Sequence, residues 1–196
     1  MRKVLCNILF WATIAPVSAA VAQTAAPAAP AAPAHEVDLA FTYSPQHRNS
    51  TAGNSFWSQG GSVEFSADLY RGFGVAADFS ANHASNINGS GVKLTTLTTM
   101  FGPRYTWSRH KLAIFGGGLI GVSAGSDSVF PSPGGATQSA RSFAAQVGGG
   151  VDLRLTPRIA VRPIEASWLR TQFPNGANNV QNTLQLSAGI VFRLQK

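Results

Sequence analysis

Large apolar side chains alternate with small or polar ones along most of the chain after residue 36, and no stretch there has apolar residues at helical spacing. Because successive side chains of a β-strand point to opposite faces, this two-residue period is typical of strands with one apolar face. The pattern therefore predicts eight strands. They span residues 37–44, 62–69, 73–81, 93–107, 112–122, 141–153, 159–171 and 183–194.

Two of these segments leave the strand register open. The glycines and mixed apolar residues of 112–122 fit either assignment of inner and outer faces. The segment 159–171 loses its alternation at Pro163, which has no amide hydrogen to donate to a neighbouring strand. A bulge of one residue at this point predicts that Arg162 and Glu165 lie on the same face.

The links between the predicted strands alternate in length. The long, polar links are residues 46–57, 82–92, 123–140 and 172–180, and the short links are residues 70–72, 108–111 and 154–158. An up-and-down barrel with long loops at one end and tight turns at the other has this alternation.

Charged residues within the strands fall on the face that carries the small and polar side chains. A soluble barrel has the opposite arrangement, with bulky apolar residues inside and charges outside. The sequence therefore predicts an all-β fold, an eight-stranded antiparallel up-and-down transmembrane β-barrel. The charges that it turns into the lumen are Glu64, Asp68, Asp78, Arg104, Asp152, Arg162, Glu165 and Arg193.

Eight strands enclose an interior that is only wide enough for side chains to fill. A buried charge without a partner is costly, so these carboxylates and guanidinium groups must pair with each other. We expect a salt-bridged plug in the lumen, with a narrow gated pore as the alternative.

The beginning of the chain has the layout of a secretory signal peptide. Arg2 and Lys3 precede the apolar run 4–15, and small residues then lead to a predicted cleavage site after Ala22 or, as second choice, after Ala20. The apolar run is shorter than the roughly 20 residues that a membrane-spanning helix needs. The segment is therefore interpreted as an export signal and not as a membrane anchor.

Residues 23–35 are rich in alanine and proline, which predicts an extended periplasmic linker, because each proline removes an amide donor. Residues 36–196 then form the barrel domain. The single cysteine, Cys6, falls in the predicted signal peptide, so the mature chain has no disulfide or thiolate chemistry.

Charge and histidine content exclude several classes of partner. The chain has 15 Lys and Arg residues against 8 Asp and Glu, but no clustered basic run, so we expect no nucleic-acid partner. The histidines lack the spacing of metal ligands, and we expect neither a metal nor a cofactor. They are His35, His47, His83 and His110.

Aromatic residues occur near the predicted strand ends, where amphipathic rings favour the headgroup region of a bilayer. We expect them to form anchoring girdles. They are Phe56, Trp57, Tyr105, Trp107, Trp168 and Phe173.

The sequence Phe-Gly-Pro-Arg-Tyr at 101–105, the glycine-rich fifth strand and the last strand resemble the small outer-membrane barrels related to the OmpA transmembrane domain. The resemblance covers residues 36–196. It implies a porin-like protein of the bacterial cell envelope with extracellular long loops and periplasmic termini. Outer-membrane lipid and lipopolysaccharide are then its surroundings.

The last strand also resembles the signal that the barrel-assembly machinery is thought to recognise. This signal has a polar residue, a glycine and two alternating hydrophobic residues, which here are Ser187, Gly189, Phe192 and Leu194. The family usually ends on an aromatic residue, whereas Gln195 and Lys196 follow Leu194 here. This departure bears on the efficiency of assembly more than on topology.

An enzymatic alternative comes from His83-Ala84-Ser85-Asn86, which is similar to the His-x-Ser-Asn motif of the outer-membrane lipid A deacylase. That family needs an acidic residue shortly downstream, and none occurs between Asn86 and Arg104. The motif also lies near the middle of the chain rather than close to its C-terminus. We therefore expect no catalytic site and a structural or surface-interacting role, with a narrow channel as runner-up and an acyl hydrolase as a distant third. The loops do not specify a surface ligand.

Overall fold

The computed structural model describes residues 36–49, 55–85, 87 and 90–195. The predicted signal peptide, the linker and Asn86 of the His-x-Ser-Asn motif lie outside these described residues. Within them, no helix has the length and apolar character needed to cross a membrane. The strands are β1 (Val37–Tyr43), β2 (Gln46–Asn49), β3 (Ser55–Tyr70), β4 (Phe73–Ala84), β5 (Leu94–Arg109), β6 (Leu112–Phe130), β7 (Thr137–Arg154), β8 (Ile159–Thr171) and β9 (Gln181–Gln195).

The strands form one closed antiparallel ring. From β3 to β9 each strand pairs with the next along the chain. Both β1 and β2 pair with β3 on one side and β9 on the other, so together they are one strand of the ring, interrupted at Ser44 and Pro45. Proline cannot donate to a ladder, which explains the interruption. The predicted eight-stranded antiparallel barrel is confirmed.

The alternation along the sequence corresponds to the two faces of the sheet. In β5, Leu97 and Phe101 are 59% and 64% exposed on the outer face, whereas Met100 and Arg104 are only 1% and 5% exposed on the inner face. The outer apolar positions in β5 run from Leu97 to Trp107, about the 9–11 residues with which a tilted strand crosses a bilayer.

Tight turns connect the strands at one end of the barrel. Arg71 and Gly72 both have positive φ, 49° and 84°, between the paired residues Tyr70 and Phe73. Two positive φ values define a type I′ turn, whose twist matches that of the flanking strands. His110, with φ 53°, lies in the two-residue turn from β5 to β6.

Three of the four links predicted to be long loops are wrong in part, and the smallest difference is at residues 82–84, which belong to β4. The link 123–140 is mostly ladder, because β6 continues to Phe130 and β7 begins at Thr137. Residues 46–49 and 55–57 of the first link are likewise strand. These parts contain many small and polar residues and lack the apolar alternation. Backbone hydrogen bonds extend the ladder there without an apolar face.

The structure also defines the two open registers. In β6, Phe115 and Leu119 are buried inside the ring, and Ile120 faces outward. In β8, Arg162 pairs with Gly189 and Glu165 with Ser187, so β8 has one more residue than β9 over this interval. The predicted one-residue bulge beside Pro163 is confirmed.

Candidate functional site: the barrel interior

Four strands direct five charged side chains into the lower half of the lumen, the half nearer the tight turns. We call these five residues the interior charge network: Glu64 on β3, Arg104 on β5, Asp152 on β7, and Arg162 and Glu165 on β8. Strand alternation turns each of them inward, and the bulge at Pro163 keeps Arg162 and Glu165 on the same face.

Arg162 is the centre of this network. Its Nε and Nη2 donate to the two oxygens of Asp152 at 2.8 and 3.2 Å, and its Nη1 donates to Glu64 Oε1 at 3.1 Å and Glu165 Oε2 at 2.8 Å. The side chain is only 1% exposed. Guanidinium is well suited to this position, because its planar set of donors bonds several carboxylate oxygens at once.

Arg104 completes the network from the opposite side of the lumen. Its Nη1 bonds Glu64 Oε1, and its Nη2 lies 3.6 Å from Asp152 Oδ2. The guanidinium carbons of Arg104 and Arg162 lie 3.8 and 4.2 Å from the centre of the Phe115 ring. The shared carboxylates and this ring hold two guanidinium groups close together in the buried interior.

Asp78 is buried next to the network, but it has no ion pair within the described residues. It lies directly opposite Glu64 on the neighbouring strand, and its Oδ1 has no hydrogen-bond partner there. Two carboxylates side by side repel each other, and an unpaired buried charge is costly. The charge of Asp78 therefore works against folding.

Replacing Asp78 by asparagine should stabilise the barrel. The substitution keeps the size and removes the unpaired charge, so we expect D78N to raise the free energy of unfolding by about 1–2 kcal/mol at neutral pH. Urea titration of the refolded protein measures the change, with E165Q as the matched control, which should destabilise because it weakens a paired carboxylate. A lower stability of D78N would contradict the interpretation.

The other two predicted lumen charges lie nearer the tight turns. Arg193 bonds Glu36 and has an Nη2 3.9 Å from Asp38 Oδ2, and Arg154 Nη2 is 3.6 Å from Glu36 Oε2. Asp68 is half-buried on β3, and its amide donates to the carbonyl of Glu36 at 2.9 Å. The sequence did not identify Glu36, Asp38 and Arg154 as charged residues of the lumen. Of these, Asp38 was visible as the inward residue of the first strand.

An apolar layer crosses the lumen above the interior charge network. Met100, Leu119 and Leu169, with Ala76 and Ala144, form one buried cluster between the strands. The expectation of a polar inner face along the whole barrel is thus wrong at this level. Leu119 was obscured by the ambiguous alternation of the glycine-rich strand, although Met100 lies on the inward parity of its own strand.

Neutral polar groups line the lumen above the apolar layer. A ladder of side-chain hydrogen bonds runs from Ser62 through Thr42 and Ser44 to Ser187, at 2.8, 3.2 and 3.0 Å. It continues from Ser187 through Gln185 and Gln46, at 3.4 and 2.7 Å. Arg48 adjoins its upper end and bonds Gln46.

Four of the predicted girdle aromatics lie on the outer face and two do not. Trp57, Tyr105, Trp107 and Trp168 are between 45% and 59% exposed. Phe173, however, is 5% exposed and its ring centre is 5.6 Å from that of Phe130, and Phe56 lines the same cavity at the loop end. The prediction that Phe56 and Phe173 anchor the barrel is therefore wrong, because Phe56 on β3 and Phe173 in the link after β8 both line this cavity.

The described part of the His-x-Ser-Asn motif, residues 83–85, lies on the outer rim. His83 Nδ1 is 2.9 Å from Thr95 Oγ1, and this hydroxyl donates to Asp127 Oδ2 at 2.7 Å. An acidic group is thus linked to His83 from another strand, which the sequence did not reveal. Within the described residues no hydrogen bond joins His83 to Ser85, so a histidine and carboxylate are present without an engaged nucleophile.

The predicted assembly signal has two residues on each face of β9. Ser187 is buried in the lumen, and Phe192 and Leu194 are exposed on the outer face. Gly189 lies against β1, where a Cβ atom would come within 2.0 Å of the carbonyl oxygen of Phe41. Close packing against β1 therefore requires a glycine at this position, in addition to any role of the residue in recognition by the assembly machinery.

Comparison with known proteins gives a family match and fold matches. A family model described as "Outer membrane protein beta-barrel domain" matches residues 12–192. Among solved structures, Neisserial surface protein A superposes with a TM-score of 0.63 at 15% identity, over 81% of this chain and 97% of that chain. Ail, the attachment invasion locus protein of Yersinia pestis, superposes with a TM-score of 0.57 at 15% identity, over 81% and 98%. No curated protein matches the sequence.

Proposed function

Because the chain belongs to the family of outer membrane protein β-barrel domains and is thus a protein of the bacterial outer membrane, we propose that it serves the cell envelope as a structural and surface-interacting barrel with a closed interior. The proposed role has two parts, a lumen that solutes do not cross and an outer end available to partners.

The position of Arg162 is the main support for a closed lumen. Its guanidinium reaches carboxylates of β3, β7 and β8, so a single side chain spans the interior. The Phe115 ring fills the space beside it, and the apolar layer of Met100, Leu119 and Leu169 lies above. A hydrated ion would have to pass both the apolar layer and the ion-pair network.

Single-channel recording tests this closure. We expect the purified barrel in planar bilayers to give no resolved unitary openings, under conditions in which a general porin added as positive control opens readily. The physical reason is that the ion pairs and the apolar layer both obstruct the lumen. Well-resolved openings at modest voltage would overturn the closed interior and favour the narrow-channel alternative.

We also propose that the tight turns and both ends of the barrel chain face the periplasm. Val37 pairs with Gln195 and with Ala67, three residues before the turn at Tyr70, so the first and last strands start and finish beside the tight turns. The longer links are then extracellular, as is usual for outer-membrane barrels.

We further propose that lipopolysaccharide and the barrel-assembly machinery are partners of the barrel. Arg141 and Arg170 are exposed near the loop end of the apolar belt, where they suit the phosphates of lipopolysaccharide. Ser187, Gly189, Phe192 and Leu194 fit the signal for the barrel-assembly machinery. Ail, an attachment invasion locus protein, was solved with the heparin analogue sucrose octasulfate, and its fold supports a surface role for a barrel of this size. The ligand of this chain's own loops is not identified by that likeness.

We propose that the chain is not an enzyme. The relay of His83, Thr95 and Asp127 lies on the outer rim, and no hydrogen bond joins its histidine to a serine among the described residues. The hydroxyl that His83 contacts belongs to Thr95, and it donates its proton to Asp127 and not to the histidine, so His83 does not activate it as the nucleophile that acyl transfer needs.

A further inference from the structure

A cavity of about 560 Å³ opens at the loop end of the barrel. We call it the vestibule. Its apolar wall includes Phe56, Val92, Leu94, Phe130, Phe173 and Val180, and Arg48 is one of its polar lining residues. The volume lies within the range of about 300–1,000 Å³ that is usual for small-molecule pockets.

Arg48 is a buried cation without a carboxylate partner. The residue is 6% exposed, and its Nε donates to Gln46 Oε1 at 3.0 Å and its Nη2 to Thr96 Oγ1 at 2.8 Å. Both acceptors are neutral, and in the part of the chain that the structure describes no carboxylate lies within ion-pair distance of Arg48. Its Nη1 donates to no described residue. The cation is thus held in place with one end of its guanidinium available.

The vestibule wall is ordered by the side chain of Gln181. Its Oε1 accepts from the amide of Phe173 at 2.8 Å, and its Nε2 donates to the carbonyl of Phe173 at 2.9 Å. These two bonds hold the Phe173 ring beside Phe130. A pocket whose wall is already fixed loses little conformational freedom when a ligand binds.

A buried guanidinium below an apolar wall is complementary to a molecule with an anionic head and an apolar body. Desolvation of Arg48 is costly without a counter-ion, and a ligand carboxylate would supply a charge-assisted hydrogen bond where the protein offers none. We propose that the vestibule binds free amphipathic carboxylates of the medium-chain fatty acid class, with the carboxylate on Arg48 and the chain against Phe130 and Phe173. The interior charge network below does not take part, so this binding does not depend on whether the lumen conducts.

Titration of [1-¹³C]octanoate into the folded protein in lipid nanodiscs tests the proposal, with empty nanodiscs as the blank. We expect saturable binding with a shift of the carboxyl ¹³C resonance. Binding should weaken at least tenfold in R48M and remain unchanged in R109M, which removes an exposed arginine beside the tight turns. Equal affinity of wild type and R48M would overturn the proposal.

A second variant guards against misfolding of R48M. In T96D a carboxylate replaces the hydroxyl that accepts from Arg48, so an internal counter-ion should occupy the cation and reduce octanoate affinity at least tenfold. Heat-modifiable gel migration reports that each variant is folded. Undiminished octanoate binding by folded T96D would overturn the proposal.

Two further probes separate head from body. Acetate has the carboxylate alone and octan-1-ol has the apolar chain alone, and we expect each to bind at least tenfold more weakly than octanoate. Acetate as tight as octanoate would show an anion site without an apolar specificity, and octanol as tight would show an apolar pocket without a role for Arg48. Either result would overturn the amphipathic assignment.

Discussion

Replacing Arg162 by methionine should lower the free energy of unfolding by roughly 3–5 kcal/mol, because removal of one partner leaves buried charges uncompensated. Glu64, Asp152 and Glu165 all bond this guanidinium, and Asp152 would keep only the 3.6 Å contact with Arg104. Methionine retains much of the length and apolar volume of the arginine stem, so the loss reports charge and hydrogen bonds more than packing. Urea unfolding in detergent, followed by tryptophan fluorescence, measures it.

The matched control is R170M on the same strand. Arg170 is exposed on the outer face, and surface substitutions of this kind usually change stability by no more than about 0.5 kcal/mol. If R162M and R170M had similar effects, the interior charge network would contribute little to stability. A double variant, R162M with E165Q, should recover part of the loss, because one of the abandoned carboxylates is then neutral.

Replacing Gly189 by valine should cost about 3 kcal/mol or more, since overpacking that shifts backbone exceeds the usual 1–3 kcal/mol. A Cβ atom at this position would lie 2.0 Å from the carbonyl oxygen of Phe41 and 2.7 Å from Cα of Thr42. Both contacts are with the backbone of β1, which cannot move without opening the seam between the first and last strands. Refolding yield and urea midpoint of the purified protein measure the effect.

A188V is the control for this substitution. Ala188 precedes Gly189 on β9 but faces outward and is exposed, so the added methyl groups meet lipid or detergent instead of backbone. Because refolding in detergent requires no assembly machinery, it separates the packing role of Gly189 from recognition. Normal refolding of G189V together with failed assembly in cells would assign the glycine to the machinery and contradict the packing argument.

The sequence predicted the parts of the barrel in which side-chain alternation and burial act together. Within the apolar belt, lipid on one side and a narrow interior on the other restrict each side chain to one face of the sheet. The inward position of Arg104 and Arg162 could therefore be predicted from the alternation along their strands. The partners of each charge could not, because they depend on strand register and on which strands lie across the lumen from one another. Asp78 illustrates this, since its alternation matches that of its neighbours and yet no guanidinium of the described residues bonds it.

The loop end of the barrel could not be predicted in the same way. Beyond the apolar belt the outer face meets water, and the alternation that marks a strand is lost although the ladder continues. The sequence therefore predicts a loop over residues 46–57, and this range includes Arg48. Its burial results from the closing of the ring above the membrane, a long-range effect that no local pattern records.

Pairing between β1 and β9 is a late step in the folding of the barrel. Asp38 is paired with Arg193 and Thr42 with Gly189. The ring therefore closes between residues near the two ends of the barrel sequence. Contacts of such separation form slowly, because the entropy of closing the intervening chain is lost before any pairing is gained. A chain released without its last 15-residue strand would leave β1 and β8 as open edges, ready to pair with other chains. The last strand of the ring is thus the one that removes both open edges.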